Sequence, residues 1–199
     1  MTGSTSRRYA GFIACAALGL ALLVTAGCGN ETAEKPATTS ATDTALRGLP
    51  IAESALETMA PDAKLLVVTT PEAVTSTATP VWGYLFGSPK TDGTYIVYVR
   101  GGAVMDAAEY GEAGLDEKQW SEVPDTTDWK IDSNEAYDKA VSASGAEGTP
   151  PYYMGLQTYV PKSETDTQTA EPFVWYVYLN ENQQAPIQVN ATSGEVVAK

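Results

Sequence analysis

Two short segments set the terms on which this chain can fold. Phe173-Val174-Trp175-Tyr176-Val177-Tyr178-Leu179 and Val81-Trp82-Gly83-Tyr84-Leu85-Phe86 carry no charge and are dominated by β-branched and aromatic residues. Such residues favour the pleated, half-buried surface of a strand. A strand with one wet face alternates apolar with polar residues, because successive side chains point to opposite faces. These two are apolar at both parities. Each therefore needs cover on both sides: a helix on one face, and the other sheet or a partner on the second. Left bare, a segment of this kind is an aggregation hazard.

The rest of the pattern supplies helices and further strands. Leu46 to Ala60 reads as a helix, with Pro50 suited to a first helical position and Pro61 ending the run. Ile51, Ala52, Ala55, Leu56, Met59 and Ala60 fall on one face of it. Lys64 to Thr70, Val81 to Phe86 and Tyr95 to Arg100 read as strands, and Gly101-Gly102 turns into a short strand at Ala103-Val104-Met105. The second half repeats the order. Asp132 with Glu135 forms a capping-box pattern, a helix follows from Ser133 to Ser144, and Gly145 ends it. Strands follow at Tyr152 to Val160, Phe173 to Leu179, Pro186 to Asn190 and Glu195-Val196-Val197. Pro71 and Pro80 bracket one loop, Pro161 and Pro172 the other, and Gly102-Ala103-Val104 matches Gly194-Glu195-Val196. The expected fold class is α+β, with a helix-plus-antiparallel-sheet unit duplicated, and with Trp82 and Trp175 in equivalent buried positions.

The N-terminus is a different kind of segment. Arg7 and Arg8 precede an uncharged stretch from Ala10 to Gly27, rich in Ala and Gly and too short and weak for a stable span. It ends in Thr25-Ala26-Gly27-Cys28. Small residues before a Cys at the end of such a core resemble the bacterial lipobox, although Thr25 stands where Leu is commoner. The resemblance implies cleavage before Cys28 and its diacylation. Ser6-Arg7-Arg8 resembles a twin-arginine export signal, but Ala10 stands where that signal has a bulky apolar residue, so the general secretion route is expected. Asn30 to Ala45 holds five Thr, four Ala and no large apolar side chain, the composition of a tether. A flexible chain of that length spans about 20–25 Å.

Charge and missing residue types exclude whole classes of function. The chain has 12 basic and 25 acidic residues, net −13; loss of Arg7 and Arg8 with residues 1–27 takes it to −15. That argues against nucleic acid and against a basic lipid-binding patch. There is no His, and the two Cys are Cys15, inside the signal, and Cys28. Thiol nucleophiles, Ser-His-Asp triads and zinc sites built from Cys or His are excluded from the folded part. Arg100-Gly101-Gly102 is too short for a phosphate-binding loop. No cofactor and no catalytic residue is expected; the chemistry left open belongs to carboxylates.

Ten acids crowd into residues 106–135: Asp106, Glu109, Glu112, Asp116, Glu117, Glu122, Asp125, Asp128, Asp132 and Glu135, opposed only by Lys118 and Lys130. A solvated acidic linker explains them best. Asp125, Asp128 and Asp132 are conceivable calcium ligands, though the spacing is not that of an EF-hand and the loop Gly is missing. A glycosidase would need two carboxylates about 5–10 Å apart in a cleft. Trp82, Tyr84 and Phe86 with Trp175, Tyr176 and Tyr178 read as core first and as an aromatic platform for peptide or glycan second.

The second half resembles the PepSY family. The resemblance rests on the helix Ile131-Asp132-Ser133-Asn134-Glu135-Ala136-Tyr137-Asp138-Lys139-Ala140, the strand Phe173 to Leu179, and the closing stretch Ile187-Gln188-Val189-Asn190-Ala191-Thr192-Ser193-Gly194-Glu195-Val196. Asn190 stands where that family more often has Asp; both favour turns. The resemblance implies a cystatin-like unit that inhibits or binds and offers no catalytic residue. The expected division is a signal at 1–27, the lipidated Cys28 and tether at 28–45, a first unit at 46–110, an acidic linker at 111–130 and the PepSY-like unit at 131–199. The expected role is a membrane-anchored, non-catalytic lipoprotein facing outside the cytoplasm, which binds or regulates an envelope or secreted protein, a peptidase among the candidates. A carboxylate-dependent hydrolase of cell-wall polymers and a structural envelope lipoprotein are the alternatives.

Overall fold

A computed structural model describes residues 43–75, 78–145, 153–159, 173–180 and 183–198. Helix α1 (Ala45–Leu56) is followed by β1 (Lys64–Thr69), β2 (Val81–Gly87), β3 (Gly93–Arg100) and β4 (Ala103–Glu112). Helix α2 (Glu117–Glu122) and a 3-10 turn (Thr126–Asp128) lead to α3 (Ser133–Ser144), then β5 (Tyr153–Gln157), β6 (Val174–Tyr178), β7 (Ile187–Asn190) and β8 (Val196–Ala198). Among the described residues no helix is long and apolar enough to cross a membrane. Cys28, the signal and the tether lie outside the described residues.

All eight strands join one antiparallel sheet in the order β4-β3-β2-β1-β5-β6-β7-β8. The halves meet edge to edge, where Val68 of β1 pairs with Leu156 of β5. A single register row crosses six strands: Val97, Tyr84, Val68, Leu156, Trp175 and Val189 are successive cross-strand partners. Each of the six is 0% exposed. That row is the spine of one core. Helices α1 and α3 pack on its face, α1 through Ala45, Leu49, Ala52 and Leu56, and α3 through Ala136 and Ala140.

Helix α3 has the expected bounds, and Gly145 ends it in the left-handed region at φ 70°. Its capping differs. The Asp132 carboxylate accepts from Ser133 N, not from the third helical amide, and Glu135 is exposed and closes no box. The capping box of this protein is Asp116 with Gln119, on α2. Helix α1 starts at Ala45, one residue before the expected Leu46, with Pro50 inside it rather than at its first turn, and stops at Leu56, short of the expected Ala60. Its own N-cap residue, Thr44, caps nothing. Its first amides are satisfied from the other half of the chain: Ala45 N donates to Ser133 Oγ at 3.1 Å and Leu46 N to Asp132 Oδ1 at 2.9 Å. Free helix-start amides need such partners, and this supply holds the turn that precedes Pro50. The buried stripe shifts accordingly, and Met59 is left 43% exposed.

Trp82 and Trp175 are both buried, at 4% and 0% exposure. Each indole N–H donates to the backbone carbonyl two residues before the helix of its own half, Trp82 to Asp43 and Trp175 to Ile131, both at 2.9 Å. Their rings meet edge to face, with centroids 6.2 Å apart.

Of the two covers expected for the opposite face of the sheet, the other sheet is not the one found. Edge-to-edge joining leaves neither half able to cover the other. Among the described residues, α2 lies on that face, at one end: Trp120 sits so close over Gly87 that an added Cβ would lie 2.5 Å from its Cη2. Lys64 Nζ ties it down by donating to the Trp120 carbonyl at 3.1 Å. Beyond α2, Leu85, Ile96, Tyr98, Tyr176 and Tyr178 are half-buried.

Candidate functional site

The acids of residues 106–135 do not form one linker. Asp106, Glu109 and Glu112 lie on β4, which runs to Glu112, well past the expected Met105. Asp116 caps α2. Asp125 caps the 3-10 turn, accepting from Thr127 N at 3.0 Å. Asp132 is engaged by Leu46 N and Ser133 N. Trp120, Val123 and Trp129 in this stretch are buried, so it packs against the fold while its charges face water. The three acids considered for calcium are not gathered into a site: Asp125 Oδ1 accepts from Thr127 N, and Asp132 Oδ1 accepts from Leu46 N and Ser133 N. Among the described residues no three His, Cys, Asp or Glu side chains come together.

The expected aromatic platform is split between the faces of the sheet. Trp82, Tyr84, Phe86 and Trp175 point into the helix-covered core and are buried. Tyr84 donates to the Ala45 carbonyl at 2.6 Å, and burial, helped by Asp132, pushes its pKa far up. Tyr176 and Tyr178 stand on the open face, half-buried. Tyr153 is 41% exposed, and Tyr152 lies outside the described residues.

An open groove of about 300 Å³ runs along the C-terminal end of α1, lined by Glu53, Leu56, Glu57, Ala60, Pro61, Ala63 and Phe86. Partial desolvation, and then the charge of Asp125, raise the Glu53 pKa. A raised carboxyl pKa means that the folded state disfavours the ionised form. The contribution of Glu53 to stability is therefore most favourable below the unfolded pKa of about 4.3, and falls as pH rises from there through the folded value. Glu53→Gln should unfold at slightly higher urea than the parent at pH 7, and at the same urea when both are acidified below pH 4. A gap of equal size at both pH values would assign the effect to packing. The effect is small because Glu53 is exposed.

The most distinctive surface is the sheet edge. β4 is the outermost strand and, at ten residues, the longest. Its pairing with β3 slips twice: Tyr98 faces Asp106 while Val99 faces Val104, and Thr94 faces Gly111 while Tyr95 faces Glu109. The residues left over at these bulges are Met105 and Tyr110, and they are 55% and 73% exposed. A bulge bends the strand and redirects a side chain, which accounts for two large apolar groups in solvent. The far end of β4 is pinned by Asp92, whose carbonyl accepts from Ala113 N at 2.7 Å and whose carboxylate accepts from Gly114 N at 3.1 Å. The length of β4 was hidden in the sequence because Asp106-Ala107-Ala108-Glu109 lacks β-branched residues and reads as helix former or loop.

No family model and no curated protein matches the chain. Among solved structures it is similar to the crystal structure of a candidate lipoprotein from Clostridium difficile 630, with a TM-score of 0.52 and 12% identity, over 77% of this chain and 90% of that one. At that identity the likeness is one of fold.

Proposed function

We propose that this chain is an exported lipoprotein, held to a membrane through diacylated Cys28, and that its folded part is a non-catalytic module that binds or regulates another extracytoplasmic protein, a peptidase among the candidates. The observation that carries the binding role is the uncovered edge strand β4, with Met105 and Tyr110 projecting from it. Open sheet edges and exposed apolar side chains are the means by which such modules take partners. The anchor rests on Thr25-Ala26-Gly27-Cys28 at the end of the apolar core. The fold-level likeness to a candidate lipoprotein supports the same reading. The PepSY character of the second half belongs to this proposal too, supported by α3 followed by four antiparallel strands and a closing hairpin at Asn190. So does the duplication, supported by the matching indole hydrogen bonds of Trp82 and Trp175.

Replacement of Cys28 by Ala should move the protein from the detergent phase to the aqueous phase and abolish incorporation of labelled palmitate. Identical partitioning of variant and parent refutes the anchor. Crosslinking of the parent in its native envelope should yield a discrete adduct with one partner protein. Absence of any adduct refutes the binding role.

A further inference from the structure

We propose that β4 is a docking strand for an extended, lysine- or arginine-bearing peptide segment of a partner, which adds beside it as a ninth strand. This rests on the binding role proposed above and names the chemistry of the partner. Among the described residues, the side of β4 away from β3 has no neighbour in the sheet, so its outward backbone groups can extend the ladder. Between the two bulges, Asp106 to Glu109 keeps an unbroken register with Tyr98 to Tyr95, which leaves that stretch regular enough to template another strand.

Charge selects the occupant. Asp106, Glu109 and Glu112 are exposed, and none is in an ion pair; the ion pair found among the described residues is Arg100 with Glu72, at 2.6 Å. A second copy pairing antiparallel across β4 would bring a second set of Asp106, Glu109 and Glu112 against the first, on a chain already at −13. Like charges directly opposite are destabilising across a ladder, so the acids act against self-pairing. The same acids favour a basic strand, whose ammonium or guanidinium groups would lie opposite them while Met105 and Tyr110 cover its apolar parts. One set of residues thus repels the wrong partner and attracts the right one.

The test uses the full lipidated chain in non-ionic detergent. Three short fluorescent peptides serve as probes: alternating lysine and threonine, the same peptide with alternate backbone nitrogens methylated, and alternating glutamate and threonine. The lysine peptide should bind and slow amide hydrogen exchange within Ala103–Glu112. The methylated peptide, equal in charge but unable to complete a ladder, should lose that protection. Asp106→Lys with Glu109→Lys should weaken the lysine peptide by at least about tenfold and turn the preference toward the glutamate peptide. Equal binding of methylated and parent peptides to the unaltered protein overturns the proposal, even if the charge-reversed variant does not fold. So does protection confined to other strands, or protection of β4 that rises with protein concentration alone, which would make a second copy the occupant. Any of these results alongside a crosslinked partner overturns β4 as the dock and leaves the binding role standing; absence of the adduct overturns that role instead.

Discussion

Trp175→Ala will lower the free energy of unfolding by about 3–5 kcal/mol, and Trp82→Ala by a comparable amount. Truncating a large buried ring loses its transfer free energy and leaves a cavity that the surroundings fill only in part. Trp175 is fully buried in the core row, between Leu156 and Val189. Its ring meets Trp82 on one side and, with centroids 5.8 Å apart, Trp129 on the other. Each truncation also removes an indole donor, with different consequences. The Ile131 carbonyl keeps Trp129 Nε1, at 2.9 Å, after Trp175 is gone. The Asp43 carbonyl has Trp82 as its donor and loses it. The double variant should fall short of additive by about 0.5–1.5 kcal/mol, the worth of an edge-to-face pair that either single change already removes. Glu112→Ala, on the exposed edge, should stay within about 0.5 kcal/mol of the parent. Urea unfolding of the four variants reads all of this. A Trp variant that unfolds with the parent yet loses a partner would move that ring from the core to a binding surface.

Asp132→Ala should cost about 2–3 kcal/mol, more than the roughly 1 kcal/mol typical of one helix cap. One carboxylate serves two helices. Its Oδ1 accepts from Ser133 N at 2.6 Å, at the start of α3, and from Leu46 N at 2.9 Å, at the start of α1. Two helix N-termini converge there, and each favours negative charge. The local N-cap residue makes no cap in the folded protein: among the described residues, the buried Oγ1 of Thr44 has no hydrogen-bond partner. Asp132→Asn should recover part of the loss, because the amide oxygen still accepts while the charge is gone. Hydrogen exchange at Ala45 and Leu46 separates this from a general loosening: both amides should exchange faster in Asp132→Ala even under conditions where the core row stays protected. A cost no larger than that of a single cap, with Leu46 still protected, would show that α1 starts without help from the second half.

Local sequence determined a good deal of this protein. It specified α3 from Ser133 to Ser144, because a capping aspartate and a terminal glycine act within one turn of the chain. It specified the strands whose composition is strongly β, and the closing turn, where Asn190 Oδ1 accepts from Thr192 N and Ser193 N, and Gly194 takes a positive φ of 78°. It also implied the shared burial of Trp82 and Trp175, since strands apolar at both parities leave a large ring nowhere else to go. The residues at the proposed dock were visible as acids, but not as a strand.

Tertiary structure decided the rest, through groups far apart in the chain. The start of α1 was read from the sequence to within one residue, but what caps it, Asp132 and Ser133, lies more than 80 residues away, so no reading of residues 44–50 could show it. The two sheets became one because β1 and β5 each had a free edge, and backbone hydrogen bonding fills an edge whatever the side chains beside it. That choice put both main helices on one face and, among the described residues, left the other to α2 and to half-buried tyrosines. β4 holds its ten residues as a strand because β3 offers a ladder along its whole length. An edge strand that faces water needs no apolar alternation, and alternation was the signal by which the sequence could have announced it.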